Sequence, residues 1–86
     1  GLSIYPNPSN GSFSLQYQLD KSATVKIEIY DALGKLVFSE AQQNLFGAFR
    51  RDLNLISLQN GVYFLRFIAD HGNEIATSTQ PITINR

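Results

Sequence analysis

Apolar and polar side chains alternate strictly along Phe13-Ser14-Leu15-Gln16-Tyr17-Gln18-Leu19. A period of two is typical of a β-strand with one buried and one solvated face, because successive side chains point to opposite sides of a sheet. No stretch of useful length follows the 3.6-residue period of an amphipathic helix. The sequence therefore predicts an all-β fold.

The same alternation returns a few residues later, along Ala23-Thr24-Val25-Lys26-Ile27-Glu28-Ile29. Asp20-Lys21-Ser22 separates the two runs and has the composition of a turn. We predict that the two runs are neighbouring antiparallel strands joined by that turn. Together they would present one apolar face to the core.

Further strand-like segments lie on both sides of these two runs, and turn-forming residues separate them. The turns are expected at Asp31 to Gly34, at Asn60-Gly61 and at Asp70 to Asn73. About seven short strands with turns roughly every ten residues predict an immunoglobulin-like antiparallel β-sandwich, with residues 1–86 as a single domain. The additional strands are expected at residues 2–5, 35–40, 48–55, 62–69 and 74–85, with residues 41–47 crossing between the sheets.

Three details refine the last two strands. Residues 62–69 are apolar on both faces except at Arg66, which is typical of a central strand. Pro81 cannot donate a ladder hydrogen bond, so the final strand should lie at a sheet edge or carry a bulge. Leu58, a turn glycine and Tyr63 at the strand entry resemble the tyrosine corner of Greek-key sandwiches.

Composition excludes several function classes. Seven Lys and Arg balance seven Asp and Glu, so the basic surface of a nucleic-acid-binding protein is absent and we expect no nucleic-acid partner. The chain has no Cys, which excludes disulfides and thiolate metal sites. With 43% hydrophobic residues it can fill a core without such crosslinks, and we expect a monomer.

The sequence contains no residue pattern that indicates a catalytic or cofactor site. The only histidine, His71, lies beside Asp70 in a predicted hairpin turn, where a solvated histidine is the simpler interpretation. Nearly all carboxylates lie in or beside turns, where acidic residues are common for conformational reasons. We therefore predict a protein that is not an enzyme, has no cofactor and takes no small-molecule substrate.

Two binding sites stay open as alternatives. Oxygen ligands at one end of a sandwich could hold calcium, although no spacing matches a dedicated loop. Tyrosine rings on the surface could stack on a sugar ring. Tyr17 and Tyr63 fall on core positions, which leaves Tyr5 and Tyr30 as the candidates. The candidate calcium ligands are Asp31, Asp70, Asn73 and Glu74.

Three segments together resemble a known family. A proline-asparagine-proline opening, a D-x-x-G hairpin and an L-x-x-G-x-Y strand entry follow one another in this order. The chain is similar over essentially its whole length to the type A C-terminal sorting domain of the type IX secretion system of Bacteroidetes. The segments are Tyr5-Pro6-Asn7-Pro8-Ser9-Asn10-Gly11, Tyr30-Asp31-Ala32-Leu33-Gly34-Lys35-Leu36-Val37 and Leu58-Gln59-Asn60-Gly61-Val62-Tyr63-Phe64-Leu65-Arg66.

The resemblance implies a non-catalytic domain at the C-terminus of a secreted cargo. It also implies recognition by outer-membrane components of the type IX translocon after passage through the periplasm. A cell-surface sortase-like peptidase would cut just upstream, near Gly1, and the cargo would reach the cell surface or the medium. Any enzymatic activity would then belong to the fused upstream cargo.

The resemblance also marks the residues of the family motifs as candidates for recognition. Family members often carry lysines in the final strand, where this chain has Thr77-Ser78-Thr79-Gln80-Pro81. The competing hypothesis is a carbohydrate-binding or adhesion module with an immunoglobulin or fibronectin type III-like fold, which the same sandwich would host. The candidate residues are Pro6, Asn7, Pro8, Gly11, Asp31, Gly34, Gly61, Tyr63, Ile82, Ile84 and Arg86.

Overall fold

Five β-strands form the regular structure in a computed structural model that describes all 86 residues. There is no helix, and thus none that could cross a membrane. Their order in the sheet is β1-β2-β4-β5, and β3 also pairs with β2. Every pair of neighbouring strands is antiparallel. The strands are β1 (Ser3–Tyr5), β2 (Ser12–Asp31), β3 (Leu36–Asn54), β4 (Gly61–Asp70) and β5 (Ile75–Ile84).

Strands β2 and β3 are long, and both bend near their middle. They pair with each other along most of their length, but the register shifts between Leu19 and Ala23 because β2 has extra residues there. On the opposite strand, Asn44 and Gly47 adopt positive φ values of 59° and 82°. Extra residues in one strand of an antiparallel pair bend the ribbon and increase its twist.

This bend folds the sheet over itself into two layers. One layer contains β1, the first half of β2 and the second half of β3; the other contains the remaining halves, β4 and β5. Aromatic rings meet between the layers. Tyr17 stacks on Phe67 with ring centroids 4.6 Å apart, and the Phe49 centroid lies 5.6 Å from that of Phe67.

The predicted antiparallel β-sandwich is confirmed, but it has five strands instead of about seven. Our prediction that residues 13–19 and 23–29 pair with each other across a turn is wrong, because they are successive halves of β2 in different layers. Residues 35–40 and 48–55 likewise fall mainly in the two halves of β3. Alternation identifies a buried face but not a strand's partner, and residues 20–22 suit a bulge as well as a turn.

The core lies between the layers and follows the alternation that the sequence shows. Inward-facing residues of both halves of β2 are almost fully buried, as are those of β4 and the end of β5. Burying large apolar side chains of this kind is the main stabilising contribution to such a small domain. The largest fully buried side chains are Phe67, Leu15, Leu19, Ile27, Ile29, Leu65, Ile84 and Val25.

The positions of β4 and β5 agree with the sequence. β4 lies between β2 and β5, as predicted for a central strand, and Arg66 is on its solvent-facing side with 48% of the side chain exposed. β5 pairs only with β4, so it is the predicted edge strand. Its register runs through Pro81 without a shift, so no bulge is present there.

The edge formed by β3 carries an ion pair that points inwards. Glu40 lies opposite buried Ile27 and Arg51 opposite buried Leu15, so both charged side chains face the interior side of their layers. Arg51 donates to both carboxylate oxygens of Glu40, from Nε and Nη2, each at 2.6 Å. This bidentate pair joins the two layers across the bend of β3.

We expect Glu40→Gln to lower the free energy of unfolding by about 1 kcal/mol at pH 7, because it leaves the half-buried guanidinium of Arg51 without its charged partner. The hydrogen bond from Arg51 holds the pKa of Glu40 below its ordinary value of 4.5. A carboxylate of this kind stabilises fully above its unfolded-state pKa and loses that contribution as the pH falls through its folded-state pKa. The difference between wild type and variant should therefore shrink below about pH 4.5.

Urea unfolding from pH 3 to pH 7 measures this difference. Glu74→Gln is the matched control, because Glu74 pairs with Lys21 at 2.7 Å but both side chains are 57% exposed. The control should have the smaller effect. Equal losses in the two variants, or a Glu40→Gln loss that does not change with pH, would contradict the assignment.

Candidate functional site

The segment from Asn7 to Ser9 lies along the end of the last strand. Ser9 forms an isolated parallel bridge with Ile84. The Ser9 N–H donates to the carbonyl of Thr83 at 2.9 Å, and the Asn85 N–H donates to the carbonyl of Ser9 at 2.8 Å. A segment from the beginning of the chain thus completes the sheet edge at the end of the chain.

Asn7 extends this contact with its side chain. Its Nδ2 donates to the carbonyl of Pro81 at 3.0 Å, and its Oδ1 accepts from the Thr83 N–H at 3.0 Å. The amide therefore satisfies one acceptor and one donor of the edge, as the peptide group of a neighbouring strand would. Both neighbouring prolines, Pro6 and Pro8, follow cis peptide bonds.

Arg86 is held by the loop that precedes β4. Its guanidinium donates to the carbonyls of Leu58 and Leu55, the latter at 3.2 Å, and its backbone N–H donates to Asn60 Oδ1 at 3.1 Å. A guanidinium is suited to this role because it has several donors in a fixed plane. We call residues 6–11, 55–60 and 82–86 together the terminal clasp.

Gly11 lies where the three parts of the clasp meet. Its carbonyl accepts from the Leu55 N–H at 2.7 Å, and its φ of 108° lies in a region that favours glycine. A Cβ at this position would lie 2.8 Å from Arg86 Nη2 and 3.1 Å from the Leu55 carbonyl oxygen. The close approach of these segments therefore requires a residue without a side chain.

Beneath the clasp, the final strand contributes two core residues. Ile82 and Ile84 are 2% and 1% exposed, and they pair with Tyr63 and Gly61 of β4. Gly61 has a φ of 156°. The end of β5 is thus fixed from three directions, by the core, by β4 and by the segment around Asn7.

The tyrosine corner predicted at Tyr63 is confirmed. The Tyr63 hydroxyl donates to the carbonyl of Gln59 at 2.7 Å, and the residue is only 7% exposed. This bond ties the loop before β4 to the strand that it enters. The same loop supplies the carbonyl and amide groups that hold Arg86.

The predicted hairpin at Asp31 is also confirmed, and it lies at the same end of the molecule. Asp31 is paired with Tyr63, and its Oδ1 accepts from the N–H groups of Leu33 and Lys35, each at 2.9 Å. Gly34 donates to the Asp31 carbonyl at 3.0 Å and has a φ of 88°. The aspartate therefore shapes the turn that joins β2 to β3.

All eleven family-motif candidates thus lie at one end of the sandwich. Nine of them belong to the clasp or to the strand entry beside it, and Asp31 and Gly34 form the adjacent turn. A family model for the secretion system C-terminal sorting domain matches residues 3–83. The chain belongs to this family.

A search of curated proteins found no match to the chain. Sorting domains of this family are C-terminal signals of type IX secretion, and they mark proteins for export to the cell surface or the medium. The match also agrees with the resemblance that the three sequence segments carry. The sorting role of this family is non-catalytic.

Other candidate sites are dispersed in this sorting domain. Asp31 lies at the opposite end of its layer from Asp70, since the register places Asp31 beside Tyr63 and Asp70 beside Thr24. Asp70 accepts from the Gly72 N–H at 2.8 Å and so shapes its own turn. The four predicted oxygen ligands therefore do not converge on one calcium site.

The two candidate tyrosines and the histidine are equally separate. Tyr5 and Tyr30 lie on the outer faces of different layers, so they cannot form one stacking platform. The Tyr30 hydroxyl donates to Glu28 Oε1 at 2.9 Å, and Tyr5 accepts from Gln16. His71 Nδ1 lies 3.0 Å from the Ser22 carbonyl oxygen, which gives the ring a structural contact in its turn.

Some clasp residues of the sorting domain could not be identified as contacts from the sequence. Ser9 and Asn60 lie inside the quoted motifs, but their bonds join segments that are far apart in the chain. The carbonyls of Leu55 and Leu58 have no sequence signal, because every residue carries the same group. Gly11 does carry a local signal, since a glycine after a turn asparagine indicates positive φ or a close approach.

We expect Gly11→Ala to lower the free energy of unfolding of the sorting domain by about 1 to 3 kcal/mol, because it adds strain at positive φ and forces Arg86 to move. Gly34→Ala is the matched control. Gly34 also has positive φ, but no atom lies within 4 Å of an added Cβ. Chemical denaturation of both variants should give the larger loss for Gly11→Ala, and equal losses would contradict the close approach.

We expect Tyr63→Phe to lower the free energy of unfolding by about 0.5 to 1.5 kcal/mol, because the Gln59 carbonyl loses its donor. Tyr5→Phe removes a hydroxyl from a residue that is 44% exposed and should have a smaller effect. Thermal unfolding followed by circular dichroism compares the two. A Tyr63→Phe domain as stable as wild type would disprove the contribution of the corner.

Proposed function

We propose that the terminal clasp is the part of this sorting domain that outer-membrane components of the type IX translocon recognise. The observation that carries the proposal is convergence. Family-motif residues between Pro6 and Arg86 gather around the end of one strand. A shared surface at the C-terminal end is what a common export signal needs.

The contacts of the clasp support a role in presentation. Ile82 and Ile84 are buried, while Arg86 and residues 6–8 lie on the surface. The buried residues fix the strand, and the exposed ones offer a defined shape to another protein. Folding and recognition are therefore coupled, because the same hydrogen bonds order the strand and shape its surface.

The remaining parts of the proposal follow from the family. The domain acts for a cargo fused upstream, and a surface sortase-like peptidase cuts between cargo and domain. The domain itself is non-catalytic, and any enzymatic activity belongs to the cargo. We further propose that it works as a single domain and as a monomer, since a fused tag needs no second copy to be recognised.

A reporter fused before residues 1–86 tests the function in a bacterium with a type IX system. We expect the intact fusion at the cell surface or in the medium. Deletion of residues 82–86 should leave the reporter in the periplasm, but this change also removes two buried isoleucines and can unfold the domain. Substitutions that spare the core are therefore required.

Arg86→Glu is the decisive variant, because it places a carboxylate against the carbonyl oxygens of Leu55 and Leu58. Glu40→Gln is its control, since it weakens the fold at a site remote from the clasp. We expect retention of the first and export of the second, with reporter fractions measured by immunoblot. Export of Arg86→Glu would contradict recognition at the clasp, and a folded wild-type fusion that stays in the periplasm would contradict the function.

A further inference from the structure

The outer edge of β5 is covered along only part of its length. The clasp uses the Pro81 carbonyl, both backbone groups of Thr83 and the Asn85 N–H. These odd-numbered residues therefore direct their backbone groups away from β4. Because the register with β4 runs from Ile75 to Ile84 without a shift, the same direction holds for the odd-numbered residues at the start of the strand.

The start of β5 consequently presents unpaired backbone groups to solvent. Ile75, Thr77 and Thr79 each direct an N–H and a C=O outwards, and no strand pairs with this side of β5. All three residues are exposed. Two groups from each of three residues provide up to six hydrogen bonds to an added strand.

This segment lacks the features with which proteins protect sheet edges. Ile75-Ala76-Thr77-Ser78-Thr79 contains no charge and no proline, and it is free of bulges. The other edges differ. β1 has only three residues, and β3 has register shifts together with the inward-pointing pair of Glu40 and Arg51.

The same edge already accepts an extended segment farther along. Ser9 and the Asn7 side chain bind it over Pro81 to Asn85 with the hydrogen bonds of an added strand. The chain continues from there, through Pro6, into β1 of the other layer. The edge from Ile75 to Thr79 is thus the uncovered continuation of an established strand contact.

We propose that an extended segment of the export machinery adds to Ile75–Thr79 as an additional β-strand. This inference rests on the proposed function and names a second contact of the same domain. The added segment is an uncharged strand, because its neighbours carry no charge. Ile75, Thr77 and Thr79 lie on the outer face, and Ala76 and Ser78, which are small and partly buried, lie on the inner face. Main-chain hydrogen bonds provide the affinity, and small neighbouring side chains admit β-branched residues.

Thr77→Pro tests the inference, because it removes an outward N–H without removing a bond to β4. The strand already contains a proline at an equivalent outward position, Pro81, so the variant domain should fold. Thr77→Ala changes the side chain but keeps the N–H. In the reporter fusion we expect the exported fraction of Thr77→Pro to be at least about tenfold lower than that of Thr77→Ala. Glu40→Gln is the control for a weakened fold and should be exported.

The outcomes separate the two proposals. Export of wild type and of folded Thr77→Pro alike would overturn strand addition and leave the sorting function intact. Retention of the folded wild type would overturn both. The purified domain could instead sediment as a dimer, and Thr77→Pro could abolish that dimer. This result would assign the edge to a second copy of this chain and overturn the inference.

Hydrogen exchange of the purified wild-type domain provides a test that does not depend on the variant. The amides of Thr77 and Thr79 should exchange at least about tenfold faster than the amide of Thr83, which is bonded to Asn7. Equal protection at the three amides would overturn the inference, because the edge would then already have a partner.

Discussion

The bend between Leu19 and Ala23 determines how this domain buries its apolar side chains. A single flat sheet of five strands would expose its apolar face to solvent, and this domain has no helix or second sheet to cover that face. Bending β2 and β3 together places the two halves of each strand in opposite layers. Tyr17 then reaches Phe67, and the sheet provides its own partner.

A sheet that folds over itself still has edge strands with unpaired backbone groups, and two of these edges are protected in different ways. β3 carries the inward-pointing pair of Glu40 and Arg51, whereas the end of β5 is covered by the segment around Asn7. The proline-asparagine-proline motif and Gly11 belong to the segment that covers the end of β5. Prolines, a short amide side chain and a glycine are the residue types that let a loop approach a strand closely and replace its missing neighbour.

Much of the fold could be predicted from alternation and turn chemistry. The inward positions of β2, the central place of β4, the edge position at Pro81 and the bond of Tyr63 are all local consequences of the sequence. The course of β2 through both layers could not be predicted, because alternation leaves the partner strand undefined. The contacts of Asn7 were equally inaccessible, since a hydrogen bond across 74 residues has no local pattern.

The distance along the chain between Asn7 and Pro81 also has a consequence for the order of folding. Contacts between residues so far apart require closure of nearly the whole chain, which makes them slow to form compared with local pairs. During synthesis, the segment around Asn7 leaves the ribosome long before the strand that it covers. A product whose translation stops before residue 82 has no strand end for that segment to bind, so the clasp forms only in a chain that has been translated through its last strand.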